Sequence, residues 1–74
     1  MTKAQWISTC EDNPDAIVAM LEDRDGCQLF MAKERFLSGH NYYYTTPVYS
    51  VWDHDYDVLF TTNYREAYHA YELR

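Results

Sequence analysis

"NPDAIVAMLEDRDGCQLFMAKERFLSG", residues 13–39, decides the fold, because its apolar positions can be read with the period of a helix or of a strand. In its first half, Asn13 can cap a helix, Pro14 suits the first helical position, where no N–H is needed, and Asp15 complements the positive end of the dipole. Ile17, Met20 and Leu21 then fall at i, i+3 and i+4. Val18 widens the stripe, and Gly26 is placed to stop the helix in a left-handed conformation. The pattern predicts an amphipathic helix over 14–25, with Asp15, Glu22 and Asp23 on its outer face.

From Cys27 onward two periods compete. As a helix, Leu29, Ala32, Phe36 and Leu37 share one face, Lys33, Glu34 and Arg35 the other, and Gly39 is a second stop. As a strand, Leu29 and Met31 lie on one side. Ala32, Lys33, Glu34 and Arg35 are good helix formers, which favours a helix near 29–38. Lys33 and Arg35 are then expected to pair with the acidic helix before them.

Outward from this stretch the signals are shorter. Thr2 with Gln5 is a capping box, and Trp6, Ile7 and Cys10 follow at helical spacing, which favours a short helix over 3–10 above an edge strand. After Gly39 the composition turns to Tyr, Thr and Val, and two antiparallel strands are expected at Tyr42–Trp52 and Tyr56–Thr61, joined through Asp53, His54 and Asp55. Pro47 cannot donate to a ladder, so the first strand is an edge or is broken near its middle. Asn63 with Glu66 is a second capping box and opens a last helix, 64–73, on which Tyr64, Ala67, Tyr68 and Tyr71 form one stripe. The expected fold is α+β. It is one domain spanning 1–74, with about four helices and a Tyr-rich antiparallel hairpin of two to three strands near 42–61.

Charge and composition bound the function. Twelve Asp and Glu against six Lys and Arg leave a net charge of −6. Nucleic-acid binding draws its affinity from cations that displace counterions, so direct binding to DNA or RNA is disfavoured. Nine of the twelve acids lie in two short segments: Glu11, Asp12, Asp15, Glu22, Asp23 and Asp25, and then Asp53, Asp55 and Asp57. Such clustering strengthens the local field and can steer a basic partner. Cys10 and Cys27 are too far apart in sequence for a zinc-ribbon pair and are expected to be reduced, unlinked thiols in a cytoplasmic protein. No apolar run long enough to span a membrane is present, and no membrane association is expected.

No sequence pattern points to catalysis or a cofactor. His40, His54 and His69 form no HxxxH or HExxH motif, and the aspartates at 53, 55 and 57 lack the glycine and the closing glutamate of a calcium loop. The tyrosines are more informative. Eight of them exceed what a core already holding Trp6, Trp52, Phe30, Phe36 and Phe60 needs, so several are expected at the surface, where rings beside carboxylates suit an arginine-rich partner. The predicted contact surface comprises Asp53, Asp55, Asp57, Tyr42, Tyr43, Tyr44 and Tyr56, with Glu22 and Asp23 on the acidic helix. By analogy of composition, the expected function is non-catalytic. The chain would be a stoichiometric inhibitor that mimics nucleic acid and covers the basic surface of a nucleic-acid-binding protein, as phage anti-CRISPR and anti-restriction proteins do. The alternative is a small accessory or structural subunit acting as a homodimer.

Overall fold

Asp25 and Gly26 both take positive φ, 51° and 86°, which a two-residue type I′ hairpin turn demands at both central positions. The computed structural model describes residues 1–74 and folds the segment around this turn into two antiparallel strands, β1 (Ala16–Arg24) and β2 (Cys27–Ser38). The helices expected over 14–25 and 29–38 are therefore absent. Asn13 does make the local bond a cap would make, its Oδ1 accepting from the Asp15 N–H at 2.9 Å, but in a turn that feeds a strand. The helix-forming run Ala32–Arg35 is overridden because β2 pairs on both of its edges, and that pairing outweighs an intrinsic preference of tenths of a kcal/mol per residue.

The remaining elements are α1 (Lys3–Glu11), β3 (Asn41–Tyr44), β4 (Val48–Asp53), β5 (Tyr56–Thr61) and α2 (Tyr64–Glu72). The fold is thus α+β with two helices and a five-stranded antiparallel sheet, not about four helices with a small hairpin. Strand order is β1-β2-β4-β5, and β3 pairs with the far half of β2. β3 and β4 are nearly one strand laid along β2. The pairs run from Ser38–Asn41 to Arg35–Tyr44, resume at Ala32–Val48, and slip at the donor-less Pro47. The break expected near Pro47 is present, and β5 has the bounds expected for the second strand.

Each face of the sheet carries one helix. On the first face α1 is anchored by Trp6, whose ring centroid lies 5.7 Å from both Phe30 and Trp52 and 6.0 Å from Phe60. The Thr2–Gln5 capping box forms as the sequence predicts. On the opposite face Ala67 and Tyr71 of α2 cover Cys27, Leu29 and Val51. The last turn of α2 is held by the sheet: the Tyr71 carbonyl, which accepts from the Arg74 N–H at 3.2 Å, also accepts from the Arg24 guanidinium at 3.3 Å and from the Cys27 thiol at 3.9 Å. Asn63 caps α2 by accepting from the Glu66 N–H, but the Glu66 carboxylate accepts from Thr61 Oγ1, so the reciprocal half of the expected capping box is not made.

Burial on both faces explains why β4 alternates poorly in sequence. Ser50, Val51 and Trp52 are all fully buried, Trp52 facing α1 and Val51 facing α2. Ser50 is the one buried polar residue, and its Oγ accepts from the Trp52 indole N–H at 2.9 Å. The two free thiols lie on opposite faces, Cys10 beside the Trp6 cluster and Cys27 beneath α2.

Candidate functional site

The helices cover only part of the sheet. Beyond Lys33, β2 and β3 continue as a two-stranded arm whose residues 34–46 are all exposed, and the molecule is elongated, 43 × 24 × 16 Å. Alternation puts Phe36 and Tyr43 on one face of the arm, with ring centroids 5.9 Å apart. Leu37, Tyr42 and Tyr44 occupy the other face. There Lys33 Nζ sits 4.3 Å from the centre of the Tyr44 ring and the Arg35 guanidinium 4.6 Å from that of Tyr42. Arg35 also pairs with Asp15, in the turn before β1, at 3.1 Å, so the pairing expected with the preceding acidic segment occurs for Arg35, whereas Lys33 makes no ion pair.

The opposite end of the sheet is acidic. The β1–β2 turn at Asp25-Gly26 and the β4–β5 turn at His54-Asp55 lie side by side, with the His54 N–H donating to the Gly26 carbonyl at 2.8 Å. The imidazole rests on Gly26 so closely that a Cβ there would come within 2.7 Å of Nε2. His54 itself has φ 56°. Its Nδ1–H donates to Asp53 Oδ1 at 2.8 Å, and Arg74 reaches the other carboxylate oxygen at 3.3 Å. Asp53 is therefore compensated. Asp23, Asp25, Asp55 and Asp57 are exposed and make no ion pair. Asp23 and Asp57 stand at the two ends of one cross-strand row, Asp23–Gln28–Trp52–Asp57, three strand spacings or roughly 14 Å apart. Tyr56, the most exposed ring of the chain at 79 %, adjoins them.

The predicted surface is thus divided. Asp53, Asp55, Asp57 and Tyr56 share the acidic end, and Asp23 joins them from β1. Tyr42, Tyr43 and Tyr44 lie on the arm, roughly 35 Å away along an extended strand. Glu22 stands on the face covered by α2, where the charge of Glu72, followed by that of Glu22, raises the Tyr68 phenol above its usual range. Asp15, placed with Glu22 and Asp23 on one helix surface by the sequence pattern, is instead at the base of the arm. The tyrosine stripe of α2 packs as the pattern implies. Tyr64 contacts Tyr49 and Tyr68, and Tyr68 contacts Tyr71, at centroid distances of 5.3–6.1 Å.

A cleft of about 580 Å³ opens at the base of the arm between the end of α1 and the sheet, lined by Cys10, Ala16, Ala32, Glu34, Thr45 and Val48 among others. Burial together with the carboxylates of Glu34 and Glu11 pushes the Cys10 thiol up, the opposite of what a nucleophilic cysteine requires. No three His, Cys, Asp or Glu side chains converge to hold a metal ion, and no helix is long and apolar enough to cross a membrane. No protein-family model, curated protein or solved structure matches the chain.

Proposed function

We propose that the protein is a non-catalytic binding module that docks its acidic end on a basic protein surface of the kind that otherwise holds nucleic acid. The observation that carries this is that the adjacent β1–β2 and β4–β5 turns, distant in sequence, bring four unpaired carboxylates and the exposed ring of Tyr56 to one end of the sheet. Unpaired carboxylates beside an exposed phenol match an arginine-rich surface, since one guanidinium can stack on the ring while another bonds an acid bidentately. Four unpaired aspartates, Asp25 and Asp55 on the two adjacent turns and Asp23 and Asp57 on the strands beside them, also supply the local field that steers such an encounter. Acting as a stoichiometric inhibitor of a nucleic-acid-binding complex, in the manner of anti-CRISPR or anti-restriction proteins, is the specific form of this proposal, and it rests on composition and charge.

The test is affinity capture from a nucleic-acid-depleted bacterial lysate, comparing the native chain with an Asp23→Lys, Asp55→Lys, Asp57→Lys variant. Asp53 is left alone because it holds Arg74 and His54. The native chain should retain nucleic-acid-binding proteins that added duplex DNA and added salt both release, and the variant should lose them. Capture that is indifferent to the reversal and to competing DNA would overturn the proposal, as would salt-sensitive binding of DNA by the protein itself.

A further inference from the structure

Apart from the three residues Phe36–Ser38 of β2 that run past the start of β1, the sheet has three open edges, and they differ in one respect. The outer edge of β1 carries Asp15, Glu22, Asp23 and Arg24, and that of β5 is flanked by Asp55 and Asp57. The edge of β3 carries none: from Phe36 to Trp52 the chain contains no Asp, Glu, Lys or Arg, its longest such run, in a protein of net charge −6. Exposed edge strands are ordinarily protected by charge, because their free N–H and C=O groups template pairing with another strand. β3 lacks that protection and is aromatic on both faces.

From this we infer that β3 is a self-association edge, pairing antiparallel with β3 of a second copy about a twofold axis through Tyr43. The backbone fixes the register. The Thr45 N–H donates inward to the Glu34 carbonyl at 2.9 Å, so by alternation Asn41 and Tyr43 also bond toward β2, while Tyr42 and Tyr44 direct N–H and C=O outward. Two copies satisfy all of these outward groups when Tyr42 of one lies opposite Tyr44 of the other. Tyr43 then faces its own counterpart as a non-hydrogen-bonded pair.

The shape of the molecule admits this register. With Tyr42 opposite Tyr44, the Gly39-His40 turn of the second copy ends alongside Thr46 and Pro47, just short of Tyr49, where β5 begins to occupy that edge. On one face the stacked Phe36–Tyr43 pair of each copy would join into a ladder of four rings, and on the other each Tyr42 would meet a Tyr44, the cross-strand pairing that stabilises sheets. Phe36, Tyr42, Tyr43 and Tyr44 are 46–60 % exposed. At roughly 150–250 Å² per ring they offer roughly 300–500 Å² per copy, about half of the ~800 Å² each partner gives to a standard interface. Leu37, Val48 and the tip backbone extend that area. The acidic turns fall at opposite ends of the pair, where their repulsion is least. A second copy is the favoured occupant because the edge is self-complementary under a twofold and β3 itself carries no charge to select a foreign strand, the nearest cations, Lys33 and Arg35, being stacked on its own Tyr44 and Tyr42. A chain with only nine buried residues also gains from assembly. The inference is independent of the role proposed for the acidic end.

Cysteine substitution tests the register. In a Tyr43→Cys protein the two Cα atoms would lie about 4.5 Å apart, within the roughly 4.4–6.8 Å a disulfide spans, so mild oxidation should give a covalent dimer. A Tyr42→Cys protein places its copies roughly 8–9 Å apart and should not crosslink. Sedimentation from low-micromolar to sub-millimolar protein should show a monomer–dimer equilibrium. Tyr43→Lys should shift it by about tenfold or more, with the tryptophan emission of the core unchanged, whereas Tyr56→Lys should leave it in place. If Tyr43→Lys does not fold, Tyr44→Pro, which removes one outward donor, serves instead. A native chain that is monomeric throughout, or equal crosslinking at positions 42 and 43, would overturn the inference.

Discussion

The two halves of β2 are the same strand under different conditions. From Cys27 to Ala32 it lies between β1 and β4 with a helix on each face, and Cys27, Leu29 and Phe30 are buried. From Glu34 to Ser38 it keeps the same alternation and an equally apolar pair, Phe36 and Leu37, yet nothing covers either face. Apolar side chains therefore do not mark the core of this protein by themselves. What separates the halves is coverage by the helices, and the uncovered half is where contact surface remains.

The sharpest way to break this comparison is to make one substitution in both halves. Leu29→Ala removes a fully buried side chain and is expected to cost about 2–5 kcal/mol of unfolding free energy. Leu37→Ala, at a position 60 % exposed, should stay within about 0.5 kcal/mol at protein concentrations where the chain is monomeric. Urea unfolding measures both, and similar values at the two positions would refute the distinction.

The turns at the two ends of β2 sharpen it further. Gly26 and Gly39 both have positive φ, 86° and 64°, so alanine is strained at either. At Gly26 the added Cβ also meets the His54 ring, whereas at Gly39 nothing lies within 4 Å. Gly26→Ala is expected to lower stability by about 1–3 kcal/mol and Gly39→Ala by about 1 kcal/mol, from backbone strain alone. Thermal melts of the pair give the order.

A smaller effect comes from pH. Burial raises the Cys27 thiol above its usual value of 9.0 and the Tyr71 phenol above 10.0. For a group whose folded pKa is raised, the stabilising contribution is complete below the unfolded pKa and is lost as pH rises through the folded one. Stability should thus not depend on these two groups through neutrality, and their contribution should fall from about pH 9 upward. Replacing Cys27 by Ala should reduce the alkaline slope in urea unfolding series, while Cys10 should react with iodoacetamide faster than the more buried Cys27.

Part of this organisation was legible in the sequence. The Thr2–Gln5 and Asn63 caps, the break at Pro47 and the bounds of β5 followed from local chemistry that the tertiary structure leaves intact. The central hairpin did not, because Ile17, Met20 and Leu21 satisfy a helical stripe while Ala32–Arg35 supply helix propensity. The signal that could have revealed it was Asp25-Gly26 between two apolar runs, a type I′ hairpin signature; Gly26 alone could equally serve as a helix stop. The candidate site failed to cohere for a related reason. Tyr42–Tyr44 and Asp53–Asp57 are neighbours in sequence, but extended strand carries the chain about 3.3 Å per residue and places them at opposite ends of the sheet. Asp23 is brought to the same end of the sheet as Asp57 only by register across four strands.

Amide hydrogen exchange followed by NMR at low and high protein concentration tests the division of β2 most directly. Amides of Gln28–Ala32 should be protected near the level of global unfolding at both concentrations. The outward amides of Tyr42 and Tyr44 should exchange rapidly when dilute and gain protection as concentration rises. Protection of Tyr42 and Tyr44 that matches Gln28–Ala32 in dilute solution, or that never responds to concentration, would contradict the account.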